Sequence, residues 1–103
     1  MDRILIFTDS SLFSFQIQFG KIGEKSHLKC KVASLAESVI IRWEKHGHVI
    51  KEEQFSKKRG ENFAVSDLLV NIADESDFGG FRCIAENDVG LSVKSIELEK
   101  RGN

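Results

Sequence analysis

The chain is expected to fold as an all-β sandwich of two antiparallel sheets. Three observations predict this. Cys30, Trp43 and Cys83 sit in separate short runs of alternating apolar and polar residues, the period of a strand with one buried face. Clusters of Gly, Asn, Asp and Ser punctuate those runs at short intervals, as in all-β domains. No stretch carries a helical period. Alternation places Leu28 and Ser26 inward with Cys30, Val39 and Ile41 with Trp43, and Phe81 and Ala85 with Cys83.

In order along the chain, Ile4 to Phe7 reads as a first strand, broken by Thr8, Asp9, Ser10 and Ser11. Phe13 to Phe19 is a second run, whose alternating Phe13, Phe15, Ile17 and Phe19 are assigned to the core. The alternative is that part of this stripe covers a neighbouring domain. Gly20 and Gly23 turn the chain into a strand from Ser26 to Val32, where Ser26 stands at a position suited to a larger aliphatic residue. Ala33 to Ser38 connects to the next strand, Val39 to Lys45. His46, Gly47 and His48 form a turn before a short segment, Val49 to Lys51.

Glu52 to Gly60 is strongly charged and reads as an exposed edge strand or loop, since charge on an edge discourages strand addition. The following strand places Leu68 and Val70 inward, with Ala73 completing the pattern at a tight corner, Ala73 to Asp77. Gly80 to Glu86 is the next strand. Asn87 to Gly90 is a hairpin turn with Gly90 expected in a left-handed conformation. A last strand places Ile96 and Leu98 inward, making about eight short strands.

The chain has 103 residues, which suits one domain. That domain runs over 1–103, with 1–22 as opening strands, 23–98 as the motif-bearing sandwich and 99–103 as a tail or linker. Apolar residues make up 41% and charged residues 30%, with net charge −1. This balance excludes the electrostatic footprint of a nucleic-acid binder or an anionic-membrane binder. No apolar run is long enough to span or insert into a bilayer. The first nineteen residues carry Asp2 and Asp9 and lack a small-residue cleavage site, so they are not read as a secretory leader.

The stretches GEKSHLKC, IRWEKHG and LLVNIADESDFGGFRCIAENDVG together resemble an immunoglobulin-like domain of the intermediate (I) set, from about Gly23 to Leu98. Asp77, Gly79, Phe81 and Cys83 match its Asp-x-Gly-x-aromatic-x-Cys motif. Ala85, Asn87 and Gly90 match its Ala-x-Asn-x-x-Gly hairpin. Within the set, the segment from Ser76 to Gly90, followed by KSIEL, is most similar to neural cell-adhesion proteins of the lachesin and IgLON kind; muscle proteins of the titin and twitchin type share the fold.

The resemblance implies an immunoglobulin-like Greek-key sandwich whose first strand switches sheets. It also implies a core frame of Trp43, Phe81, Leu28, Leu68 and Val70, and a Cys30–Cys83 disulfide. On the residues alone, two buried free thiols remain the alternative. It further implies a corner built on Asp77 and Gly79, with Lys58 or Arg59 as the basic partner of Asp77. One departure is plain. Phe81 replaces the Tyr whose hydroxyl bonds back to the corner, a hydrogen bond worth about 1 kcal/mol.

No catalytic chemistry is legible. His46 and His48 flank Gly47 in a turn with Glu44 nearby, and His27 lies apart, but no third ligand sits at metal spacing. No Ser stands in a nucleophile context, and no helix exists for a Gly-rich phosphate loop to open. Neither a metal nor a cofactor is expected. Lys57, Lys58 and Arg59 are flanked by Glu52, Glu53 and Glu61, which cancel much of their field, so the cluster is read as a solvated edge rather than a polyanion site.

The outward positions beside Trp43 and Cys83 are more informative. Ile40, Arg42, Glu44, Arg82, Ile84 and Glu86 should share one sheet face, a mixture of apolar and Arg side chains typical of protein contacts. The expected function is therefore non-catalytic protein–protein recognition in an extracellular cell-surface adhesion protein or receptor, through homophilic or heterophilic contacts. The alternative is an intracellular spacer domain of a muscle or cytoskeletal filament protein. A receptor-kinase ectodomain is a third reading. The chain has no Asn-x-Ser/Thr glycosylation site, which favours the spacer only weakly because many secreted domains lack one.

Overall fold

A computed structural model describes residues 6–7, 15–33, 39–61, 63–87 and 90–101. Nine strands occur among them: β1 (Ile6–Phe7), β2 (Phe15–Gly20), β3 (Lys25–Ala33), β4 (Ile40–Lys45), β5 (His48–Val49), β6 (Phe55–Arg59), β7 (Phe63–Asn71), β8 (Gly79–Glu86) and β9 (Leu91–Lys100). Two 3-10 turns, Glu52–Gln54 and Glu75–Asp77, join β5 to β6 and β7 to β8. One sheet has the order β1-β3-β7-β6 and the other β2-β9-β8-β4-β5. This is the immunoglobulin-like all-β sandwich that the motifs imply. The opening strands divide between the sheets: β1 pairs antiparallel with β3, while β2 pairs parallel with β9.

Alternation builds the core. Leu28, Cys30 and Val32 from β3 meet Ile41 and Trp43 from β4, Leu68 and Val70 from β7, Phe81, Cys83 and Ala85 from β8, and Ile96 and Leu98 from β9, all buried. A disulfide joins Cys30 to Cys83 across the two sheets, at a sequence separation of 53. Beside it, the Trp43 indole N–H donates to Ser66 Oγ at 2.8 Å. Positive φ at His46, Gly47, Gly23 and Gly79 sets the tight turns, and at the three glycines no side chain opposes that conformation.

Several expectations need correction. The inward residue that follows Val70 is Ile72, not Ala73, which is exposed. Strand alternation continues one step further, and Ile72 is held by its N–H bond to the Glu24 carbonyl. Gly90 does not have a left-handed backbone. Its N–H is instead satisfied by the Asn87 side chain at 3.0 Å, so the turn needs no positive φ there. The last strand runs on to Lys100, into the segment read as a tail. It also buries Lys94 completely on the inward face, which no apolar pattern announces; a partner satisfies this lysine.

The largest departure lies in β2. Phe15, Ile17 and Phe19 are 50%, 48% and 52% exposed, not core. The inward side is taken by Gln16, Gln18 and Gly20. Gln18 Nε2 donates to Ser26 Oγ at 2.9 Å and to the His27 carbonyl at 3.0 Å. That contact gives Ser26, an apparent defect in the core pattern, a polar partner. Phe13 and Ile4 lie outside the described residues.

Candidate protein-contact site

The outer face of β4, β8 and β9 is set by register. Arg42 lies opposite Ile84, Glu44 opposite Arg82, and Ile40 opposite Glu86. On the far side of β8, Val93 lies opposite Ile84 and Leu91 opposite Glu86. Directly opposed residues share a face, so all of these side chains project from one surface. Arg42 Nη1 bonds Glu86 Oε1 at 3.3 Å, and Arg82 Nη2 lies 3.6 Å from Glu44 Oε1. Each exposed pair contributes about 0–1 kcal/mol; their effect is to fix where charge stands on the face.

Ile84 does not contribute open contact surface as expected. It is only 5% exposed. Arg42 and Val93 flank it on the two neighbouring strands, with the Arg–Glu pairs above and below, and long charged side chains cover apolar surface with their stems. The apolar contact surface is supplied instead by Ile40, 57% exposed, and by Leu91, 54% exposed. Leu91 was not singled out in the sequence, although the alternation applied to β4 and β8 would have found it on β9. Val49, opposite Glu44 on β5, extends the same face and is exposed.

The corner between β7 and β8 is a capped turn. Asp77 Oδ2 accepts from the N–H groups of Ala73 at 2.8 Å and Asp74 at 3.1 Å, while Asp74 Oδ1 accepts from Ser76 N–H at 2.9 Å. The Ser76 hydroxyl and its backbone N–H hold the Asp74 carboxyl below its ordinary range. Two other basic residues reach this corner: the Lys45 ammonium donates to the Ser76 carbonyl and lies 5.0 Å from the Phe81 ring centre, and Lys100 Nζ pairs with Glu75 Oε2 at 2.8 Å. Lys58 and Arg59 pair with Val65 and Ala64, at the far end of β7 from Asp77. They cannot fill that role because β6 runs away from the corner. Gly79, at φ 125°, lets β8 start from the turn.

The remaining candidates do not converge. His46 and His48 are exposed around a turn, and His27 bonds Asp67 at 2.8 Å on the opposite sheet. Among the described residues no group of three or more His, Cys, Asp or Glu could hold a metal ion. Lys57 donates to the Val39 carbonyl, leaving β6 as a charged edge. No helix among the described residues is long and apolar enough to cross a membrane.

Residues 14–99 match the family model described as the immunoglobulin I-set domain. The chain is 35% identical over 78 residues to neural cell adhesion molecule 1 of Gallus gallus, covering 76% of this chain and 7% of that protein. It is 26% identical over 89 residues to the muscle M-line assembly protein unc-89 of Caenorhabditis elegans, covering 78% of this chain and 1% of the relative. The chain thus spans under a tenth of the length of either relative. Among solved structures it is similar to a chain in the crystal structure of Dpr2 Ig1-Ig2 in complex with DIP-Theta Ig1-Ig3. The TM-score is 0.74 at 20% identity, covering 95% of this chain and 32% of that one.

Proposed function

The chain belongs to the immunoglobulin I-set family, and on that premise we propose that it is a non-catalytic recognition module of a cell-surface adhesion protein or receptor. The observation that carries this reading is the outer face of β4, β8 and β9. There Ile40 and Leu91 stand exposed beside the Arg42–Glu86 pair. Two exposed apolar side chains on either side of Glu86, itself paired with Arg42, suit a protein partner, with the charges setting register and selectivity. The Cys30–Cys83 disulfide supports an oxidising, extracellular setting. Similarity to a neural cell adhesion molecule supports it as well.

A second reading, an intracellular spacer in a muscle filament protein, is favoured by the similarity to unc-89. The two are separated by staining live neuronal cells with a fluorescent tetramer of the domain, beside a tetramer carrying Ile40→Asp and Leu91→Asp. The recognition module stains the cells, and the variant loses most of that signal. No signal from either tetramer favours the spacer, whereas equal staining by both rejects this face as the adhesion site and places cell binding elsewhere on the domain.

A further inference from the structure

β2 presents its apolar residues to solvent, and the fold holds it that way. Gly20 faces inward, where a Cβ atom would lie 2.7 Å from Ile72 Cδ1. Gln18 is tied to Ser26 and His27, and the Arg101 N–H donates to the Gly20 carbonyl at 2.8 Å. Six consecutive residues pair with β9, from Phe15 beside Ser95 to Gly20 beside Lys100. A one-residue slip would reverse every side chain and drive the Phe19 ring into the tight space beside Ile72 and Leu98 that Gly20 occupies. The exposure of Phe15, Ile17 and Phe19 is therefore built into the register.

The strand is also an edge. Among the described strands β2 has a ladder partner, β9, on one side only. The other long edge, β6, carries Lys57, Lys58 and Arg59, and β5 is two residues long; both are ordinary ways of blocking strand addition. β2 has neither protection. It has no charge and no proline, in a chain that is 30% charged.

Its sequence adds the decisive feature. Phe15-Gln16-Ile17-Gln18-Phe19 reads identically in both directions. A two-fold interface sets residue i against residue j and j against i, and in this strand the opposed residues are then of the same kind. Antiparallel pairing centred on Ile17 sets Ile17 against its own copy, Phe15 against Phe19 of the second copy, and Gln16 against Gln18 of the second copy. Aromatic and β-branched cross-strand pairs are stabilising, and no like charges meet. We propose that β2 pairs with β2 of a second copy of this chain about a two-fold axis through Ile17, joining the two five-stranded sheets into one. Three half-exposed side chains per copy make a small contact, so the dimer is weak and concentration-dependent.

This inference does not depend on the adhesion reading: β2 pairs with Ser95 to Lys100 of β9, the end away from Leu91, and β9 and β8 separate it from Ile40 on β4. The test is sedimentation equilibrium of the 103-residue chain from about 1 μM to about 1 mM. The mass should rise from 11.6 kDa towards twice that value. Ile17→Lys, at an exposed position, should keep the thermal unfolding of the parent while weakening the dimer about tenfold or more. Directly opposed Cα atoms lie about 4.5–5.5 Å apart, within disulfide reach. Ile17→Cys should therefore cross-link to itself under mild oxidation. Phe15→Cys should cross-link only when mixed with Phe19→Cys. A chain that stays monomeric throughout, a dimer unaffected by Ile17→Lys, or self-cross-linking of Phe15→Cys as efficient as that of Ile17→Cys overturns the proposal.

Discussion

Trp43 and Ser66 are joined across the sandwich by a 2.8 Å hydrogen bond that runs beside the disulfide. Register explains the alignment: Cys30 lies opposite Ser66 in one sheet, and Trp43 lies opposite Cys83 in the other. Two links between the sheets, one covalent and one polar, therefore occupy adjacent positions. Ser66 also donates to the Ser56 carbonyl at 2.6 Å, which ties the edge strand β6 to the same centre.

Ser66→Ala leaves the buried indole N–H without its acceptor, and an unsatisfied buried donor costs about 1–3 kcal/mol. Urea unfolding should show a lower midpoint with an unchanged slope. A midpoint equal to that of the parent would mean the indole finds another partner.

Reduction of Cys30–Cys83 should lower stability by about 4 kcal/mol on the loop-entropy account for a loop of this length. Unfolding monitored by Trp43 fluorescence, with and without reductant, measures this directly. Mass after alkylation counts the thiols: none before reduction and two after it.

Ile40 and Ile84 should respond very unequally to the same substitution. Ile84→Asp places a charge in a covered site and should destabilise by more than about 2 kcal/mol. Ile40→Asp changes an exposed position and should stay within about 0.5 kcal/mol of the parent. Thermal unfolding of the pair checks whether the Arg42 and Val93 flanks truly cover Ile84.

Phe81→Tyr should stabilise. An open pocket beside Phe81 is lined in part by Val70, Asn71 and Asp77, next to the corner backbone that a hydroxyl would have to reach. The gain should be about 1 kcal/mol, read as a higher urea midpoint; an unchanged midpoint would show that no acceptor is in reach.

Asp74 contributes to the acid limb of stability. Its carboxyl is held below its ordinary range in the folded state by Ser76, while the unfolded value is about 3.9. A depressed folded value means the contribution is fully present above the unfolded value and is lost as pH falls through the folded one. Asp74→Asn keeps an acceptor at the cap but does not titrate. Its urea midpoint should therefore fall less steeply than that of the parent between about pH 5 and pH 2.

The sandwich itself was legible in the sequence because period-two alternation and the positions of Cys30, Trp43 and Cys83 are local facts about which side of a strand a residue takes. The motif from Asp77 to Gly90 carried the corner, the hairpin and the family in the same way. Alternation states a face; it does not state what covers that face. Only the tertiary structure decided that Ile84 is covered while Ile40 is open, because that depends on Arg42 and Val93 in neighbouring strands. Only packing decided that β2 turns Gln18 inward and Phe19 outward: the space beside Ile72 is too tight for a large side chain unless Ile72 shifts, and Gln18 finds its acceptors on β3. Ser66 likewise looked unremarkable until β4 brought Trp43 above it. Local pattern set the strands, and contacts between residues distant in sequence decided which surfaces remain open to a partner.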